Sequence, residues 1–319
     1  MRILVFGAGA VGSVLGGFLA KAGHEVTLLG RPWHLDVIRK NGLAISGLWG
    51  DQLIRSLNTA TRLEELNAAP PFDWVLFCVK AHQTEEAARM VKQVMRDPTL
   101  LCAFQNGLGN YEALTQHLDP SRVALGRVIF GAEIEPGRVA VTVSADEVLI
   151  GAPDPRVPRD AIAALAAALK SSGVPSRPTE SIVPALWGKA LYNCALNGLS
   201  TLLEVPYGRL VEQAVTRRMM ERIIEEAYRV AAAQPIALKP PTAVEYLELL
   251  FTRLIPSTAA HHSSMLQDLR RGRSTEIDAM NGAIVRLGAR AGIPAPMNAL
   301  VTRLVHARER FVDTSRALC

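Results

Sequence analysis

The amino-acid sequence predicts an α/β domain built on a mainly parallel sheet, followed by an all-α domain. Three observations carry that reading. Up to about residue 150, short apolar segments alternate with segments of helical period, the order expected when helices cover both faces of a parallel sheet. One of these segments, Trp74–Val79 (WVLFCV), is apolar without interruption, as in a strand buried on both faces. Beyond about residue 178 the pattern is almost wholly helical, with proline-rich breaks at Lys239-Pro240-Pro241 and Ile293-Pro294-Ala295-Pro296. A chain of 319 residues is long for one core and suits two, so domains are expected at 1–177 and 178–319, divided near Pro178.

Arg2–Phe6 reads as the first strand, a glycine-rich turn follows, and a helix over Val11–Ala22 stops at Gly23. This opening imitates a secretory leader, with Arg2, an apolar stretch and Ala20-Lys21-Ala22, but strand, turn and helix account for more of its residues. Glu25–Leu29 is the second strand, and Pro32 suits the first turn of the next helix. Leu43–Gly47 and its neighbours read as short strands or a loop. After the Trp74–Val79 strand, Thr84-Glu85-Glu86 opens an amphipathic helix running to about Met95. Leu100–Phe104 forms another strand, and Gln105-Asn106-Gly107 turns away from its C-terminal end. Between Arg122 and Ile150 strands dominate, and Val139–Val143 and Val148–Ile150, flanking Ser144-Ala145-Asp146, predict a hairpin. An alanine-rich helix at Asp160–Ser171 and an extended stretch near Val174–Arg177 complete the first domain.

Composition excludes several function classes. Hydrophobic residues make up 49% and charged residues 20%, as in an ordinary soluble protein, and no apolar run reaches membrane-spanning length. The net charge of +5 and pI near 9.2 are mildly basic. Lys and Arg are scattered, apart from Arg270, Arg271 and Arg273, and no aromatic residues interleave with a basic stripe, so nucleic acid is not an expected partner. Cys78, Cys102, Cys194 and Cys319 lie far apart without metal-ligand spacing, so no metal site is expected. The first three sit in apolar surroundings and read as reduced core residues of a cytoplasmic protein. A homodimer is compatible with the sequence, which does not fix the oligomeric state.

Gly7-Ala8-Gly9-Ala10-Val11-Gly12 is GxGxxG directly between a strand and a helix. The first glycine permits the tight turn, the second lets backbone approach a pyrophosphate, and the third allows close helix–strand packing. With amide donors at the helix N-terminus, the segment predicts a Rossmann-type dinucleotide site. The second strand ends Leu28-Leu29-Gly30-Arg31, with a guanidinium where NAD-specific folds place an acid. A guanidinium suits a 2′-phosphate, so NADP(H) is expected over NAD(H). Lys80 and Asn106 each follow the C-terminal end of a predicted parallel strand, the edge at which open α/β sheets bind ligands. As bland alternatives, Lys80 could be an exposed helix-start lysine, and Asn-Gly at 106 a simple turn.

In the helical half, Lys189, Asn193 and Asn197 stand four residues apart within an otherwise apolar segment, WGKALYNCALNGLS. Steps of four keep the ammonium and both amides on one helical face, where unpaired polar groups are costly. Singly, each could snorkel or cross-link helices; as a ladder they point to a polar ligand. Further on, Ser263-Ser264-Met265-Leu266-Gln267-Asp268 precedes a basic loop, and Thr275-Glu276-Ile277-Asp278 reads as the start of a helix continuing to about Ala291. Acids in a first turn ordinarily complement the helix dipole, so Glu276 alone carries little.

Together, GAGAVG, Arg31, VKAHQT, QNGLGN, KALYNCALN and SSMLQDLRRGRSTEID resemble ketopantoate reductase (2-dehydropantoate 2-reductase) over nearly the whole chain. The resemblance implies a Rossmann-type domain, a helical domain similar to the C-terminal part of 6-phosphogluconate dehydrogenase, and NADPH-dependent reduction of 2-dehydropantoate to pantoate on the route to coenzyme A. It makes Lys189 the general acid toward the keto oxygen, with a pKa lowered by apolar surroundings. Asn193, Asn197 and Ser264 become substrate contacts, and Glu276 an acid near both the cofactor ribose and Lys189. Gly7 through Gly12, Arg31, Lys80, Asn106 and Ala132 become cofactor contacts, with Asn106 also near the substrate. Two positions depart from the family pattern, Tyr207 in Glu204-Val205-Pro206-Tyr207-Gly208 and His261, where the family can carry amides near the substrate's hydroxyl end. A reductase of another 2-keto acid, or a catalytically silent NADP(H) sensor, are the alternatives. Lys189 and Glu276 argue against the sensor.

Overall fold

A computed structural model describes residues 1–317, with side chains to Phe311; Cys319 lies outside the described residues. The chain forms two compact units. The first comprises Met1–Gln105 and Asn110–Ile182; the second comprises Asn106–Gly109 and the chain from Val183 on. The change of unit near Ile182 falls shortly after Pro178, and the loop at 106–109 belongs to the helical unit although the sequence around it belongs to the first.

In the first unit, β1 (Arg2–Phe6), α1 (Ala10–Lys21), β2 (Glu25–Leu29) and α2 (Pro32–Asn41) open the fold. Short strands β3 (Leu43–Gly47), β4 (Gln52–Ile54) and β5 (Leu57–Ala60) precede β6 (Trp74–Phe77), α3 (Thr84–Val91), β7 (Leu100–Ala103) and α4 (Asn110–Thr115). Then come β8 (Val123–Arg127), β9 (Phe130–Glu135), β10 (Arg138–Ser144), β11 (Val148–Gly151), α5 (Arg159–Ser172) and β12 (Ser176–Pro178). The large sheet has the order β12-β11-β8-β7-β6-β1-β2-β5. Every neighbouring pair in it is parallel except β11 with β8. The central strands β1 and β6 are buried nearly end to end, as their unbroken apolar sequences require.

The hairpin expected across Ser144-Ala145-Asp146 does not form. β10 pairs with β9 and β3 in a separate sheet of order β4-β3-β10-β9, whereas β11 pairs with β8 and β12 in the large one. Their burial explains the parting: β10 alternates between inside and outside, while all four residues of β11 are buried. A one-faced strand and a two-faced strand belong to different sheets. The hairpin that does form joins β9 to β10 through Pro136-Gly137, a turn dipeptide passed over in the sequence.

The second unit contains α6 (Ile182–Leu203), α7 (Tyr207–Leu210), α8 (Ala214–Ala232), α9 (Ala243–Leu249), α10 (Ile255–Ser257), α11 (Ser264–Arg270), α12 (Asn281–Arg290) and α13 (Pro296–Ala317). Its core packs Leu191, Cys194, Leu196 and Leu199 of α6 against Ile223, Ile224 and Ala227 of α8 and Val301 and Val305 of α13. Both proline-rich breaks separate helices. The helix expected from Thr275 starts only at Asn281. A short 3₁₀ turn holds Ile277–Ala279, and Met280 leaves helical geometry at φ −106°, ψ −104°. The carbonyl of Ala279 is committed elsewhere, accepting from the Leu108 N–H at 2.7 Å. Among the described residues no helix is long and apolar enough to cross a membrane. Cys78, Cys102 and Cys194 are free thiols, and burial pushes each of them up from the usual thiol range.

Candidate active site

The first unit gathers its candidate residues along one sheet edge. β6, β1 and β2 are adjacent and parallel, so Lys80, Gly7–Gly12 and Arg31, which follow them, share their C-terminal side. At about 4.8 Å per strand, this edge spans roughly 10 Å between β6 and β2, a length a dinucleotide can follow. Gly7 has φ +104°, and a Cβ there would stand 2.8 Å from the Val79 nitrogen, so the turn closes only with glycine. At Gly9 a Cβ would meet nothing within 4 Å. It caps α1, whose first turn has neither a side-chain cap nor an acid, leaving its amides to an anion. Arg31 is exposed at the N-cap of α2, with no ion pair recorded to it among the described residues. These features fit a dinucleotide. Ala132 lies elsewhere in the unit, paired with Val141 in the small sheet.

The second unit brings together three residues distant in sequence. Lys189 Nζ donates to Asn106 Oδ1 at 2.6 Å. The same amide turns its Nδ2 toward Glu276 Oε2 at 3.4 Å. Asn106 is held there by its neighbours: Gly107 at φ +84° lies so close over Ala279 that a Cβ would be 2.3 Å from the carbonyl oxygen. Glu276 is 5% exposed and its segment is anchored from α13. Glu309 Oε1 accepts from the Thr275 N–H at 2.7 Å, and His306 links Glu309 to Asp278. Burial would raise the Glu309 carboxyl, but its hydrogen bonds from Thr275 and His306 outweigh it, and the net shift is downward. For His306, burial acts downward and is outweighed by its two carboxylate partners. The clamp leaves no signal in the sequence, because nothing local marks Glu309, more than thirty residues from Thr275, as a capping acid.

α6 carries the ladder as expected, yet its three members differ. Lys189 is half-buried, Asn193 is 8% exposed and Asn197 is 2% exposed. No hydrogen bond is recorded to the Asn193 amide among the described residues. Asn197 is occupied at both ends: its Oδ1 accepts from the Tyr207 hydroxyl at 2.6 Å, and its Nδ2 faces Met280 Sδ at 3.4 Å. Tyr207 in turn meets the rings of Tyr192 and His261 edge-on. Of the paired serines, Ser263 is buried as the cap of α11, accepting from the Leu266 N–H at 3.0 Å, and Ser264 is exposed. Among the described residues no cluster of His, Cys, Asp or Glu could hold a metal ion.

Comparison with known proteins agrees with both halves. The model of the ketopantoate reductase PanE/ApbA family matches residues 3–155, and that of the family's C-terminal region matches residues 181–309. A 2-dehydropantoate 2-reductase of Aquifex aeolicus (strain VF5) is 39% identical over 98% of each chain. The structure of a PanE/ApbA family ketopantoate reductase from Ralstonia eutropha JMP134 is 35% identical, with a TM-score of 0.87 over 98% of this chain and 100% of that one. A D-mandelate dehydrogenase, solved with NADH and anilino(oxo)acetate, is 28% identical with a TM-score of 0.89 over 98% of this chain and 99% of the other. This chain belongs to the ketopantoate reductase PanE/ApbA family, a family of dinucleotide-binding oxidoreductases.

Proposed function

We propose that this protein reduces 2-dehydropantoate to pantoate, with NADPH as its cofactor. The observation that carries the reading is the Lys189–Asn106–Glu276 chain in the helical unit. NADPH, when bound, supplies a hydride to the 2-keto carbon. The other half of the reaction is a proton on the keto oxygen, and Lys189 Nζ provides it. An ammonium carries three N–H groups in a fan, so it can hold the Asn106 oxygen and reach the keto oxygen from one position. Glu276 orients the Asn106 amide, which presents its oxygen to Lys189 and so fixes where the proton is held. Asn193, buried on the same helical face as Lys189 and with no hydrogen bond recorded to its amide among the described residues, orients the substrate together with the Ser264 hydroxyl.

Arg31, with Gly7–Gly12 and Lys80, gives the first unit its cofactor role, and the exposed guanidinium favours the 2′-phosphate. Arg31→Ala is expected to weaken NADPH by ~1.5–3 kcal/mol, the value of a hydrogen bond to a charged group, with NADH little affected. Fluorescence titration of both nucleotides checks this, and an unchanged preference removes Arg31 from the assignment.

One observation favours a second reading, a reductase for another 2-keto acid. The Tyr207 hydroxyl takes the Asn197 carbonyl, so the end of the ladder presents aromatic rings in place of a free amide. A screen of 2-keto acids with NADPH decides between them. Ketopantoate is expected to exceed 2-oxoisovalerate and benzoylformate in kcat/KM by at least about tenfold, the worth of one added hydrogen bond. Benzoylformate as the best substrate would establish the second reading instead.

A further inference from the structure

His34 is 1% exposed, and nothing proposed above for catalysis or cofactor binding uses it. It lies in the first turn of α2, three residues after Arg31, and its backbone N–H donates to the Arg31 carbonyl at 3.2 Å. Its ring reaches two other elements of the same unit. Nε2 lies 3.0 Å from the hydroxyl of Ser13, the residue of α1 directly after Gly12. Nδ1 lies 3.1 Å from the Gly137 N–H, in the turn between β9 and β10. The Glu135 carbonyl oxygen, at the end of β9, also lies 3.1 Å from Nδ1, and the Ser13 hydroxyl can donate to or accept from Nε2, so the ring is tied to both elements whichever nitrogen carries its proton. Each ring nitrogen has a partner. Burial moves its pKa below the usual histidine value, against the opposite pull of the Glu135 carbonyl.

A satisfied histidine in a core needs no further role, but this one joins a particular set of elements. α1 begins at the glycine turn, α2 begins at Arg31, and both starts must be fixed relative to each other for one ligand to engage both. Arg31 is the N-cap of α2 without making a side-chain cap bond, so the first turn of α2 lacks that local tether. The His34 ring supplies one, binding that turn to α1 and to the β9–β10 turn. A forked guanidinium loses most of its advantage when its plane is misaimed, since its hydrogen bonds are directional.

We propose that His34 is a positioning residue for 2′-phosphate selectivity, holding the start of α2 against α1 so that Arg31 meets the phosphate while the glycine turn meets the pyrophosphate. This rests on the reading of Arg31 given above. His34 touches neither phosphate and acts through the placement of α2. Its loss therefore weakens the nucleotide that carries a 2′-phosphate and largely spares the one that does not.

The experiment titrates NADPH and NADH against wild type, Arg31→Ala, His34→Leu, His34→Gln and Ser13→Ala, with thermal melting of each protein alongside. His34→Leu is expected to raise the Kd for NADPH about tenfold, as for one misaligned charge-assisted hydrogen bond, with the Kd for NADH nearly constant. His34→Gln, which can still donate toward Ser13, recovers part of the preference. Ser13→Ala, the mildest change, lowers it in the same direction and answers the question if His34→Leu does not fold. Equal weakening of both nucleotides, or a lower melting temperature with selectivity intact, overturns the proposal and leaves His34 as core packing. If Arg31→Ala abolishes the preference while the His34 and Ser13 variants keep it, only this proposal falls. If wild type shows no preference for NADPH, the Arg31 reading falls and takes this proposal with it.

Discussion

Lys189→Ala is expected to lower kcat for 2-keto acid reduction by ~10²–10⁴-fold, the usual worth of a well-placed general acid. The geometry makes the expectation sharp. Lys189 Nζ stands 2.6 Å from Asn106 Oδ1, and Asn106 is fixed by the neighbouring Gly107–Ala279 contact, so the ammonium is held in place rather than swinging freely. Alanine removes the ammonium that donates to Asn106 Oδ1, and no other lysine lies in the stretch from Val183 to Leu238 to replace it. Lys189→Arg separates the two duties of the residue. A guanidinium keeps the positive charge that attracts a keto acid but releases no proton near neutral pH. The arginine variant is therefore expected to retain much of the substrate affinity while its kcat falls as far as that of alanine. Single-turnover reduction at saturating NADPH reads the chemical step directly. Turnover within tenfold of wild type in either variant would assign the proton to another group.

How far the site could be read from sequence depends on how local its geometry is. The ladder on α6 was legible because a run of helix fixes the angular relation of residues four apart, whatever surrounds it. GxGxxG and Arg31 were legible for the same reason: strand, turn and helix are contiguous, and the strand end dictates where the next side chain emerges. The link from Lys189 through Asn106 to Glu276 was not, since its members are 83 and 170 residues apart and no periodicity relates them. Without the family resemblance, Glu276 read as an ordinary first-turn acid. In the fold it sits before a 3₁₀ turn, because the Ala279 carbonyl answers Leu108 rather than the next turn of α12. The occupied state of Asn197 was hidden likewise, since its partners Tyr207 and Met280 come from other elements. The misplaced hairpin has a different origin. The alternating pattern of Val139–Val143 and the unbroken pattern of Val148–Ile150 belong to different sheets, and that contrast outweighs their proximity in sequence.

The largest expected loss of stability comes from Glu226, on α8. Its side chain is 4% exposed, and no basic partner is recorded to it among the described residues. It caps α13 from outside: Oε1 accepts from the Met297 N–H at 2.8 Å, and Oε2 from the Asn298 N–H at 3.0 Å and the Asn298 side-chain amide at 2.9 Å. The first-turn amides of a helix have no partner of their own, and a carboxylate there also meets the positive end of the helix dipole. Pro296 begins the helix, so the next two N–H groups are the ones that need an acceptor. Asn298 passes the constraint inward by bonding Asn281, whose amide also reaches the Cys194 carbonyl on α6. Glu226→Ala takes the acceptor from the part-buried Met297 N–H, from the buried Asn298 N–H and from one N–H of the Asn298 amide, whose nitrogen keeps its bond to the Ile223 carbonyl at 3.2 Å. At ~1–3 kcal/mol for each unsatisfied group, partly recovered by water entering the space, the expected loss is roughly 3–5 kcal/mol. For a unit of this size that corresponds to a fall in Tm on the order of 10 °C. Glu226→Gln keeps one acceptor oxygen but turns an NH₂ toward the remaining donors, so it should fall between wild type and alanine. Chemical denaturation followed by helical circular dichroism reads the series. A loss below about 1 kcal/mol for alanine would mean that α13 starts without its cap, and that the core of α6, α8 and α13 holds it by apolar packing alone.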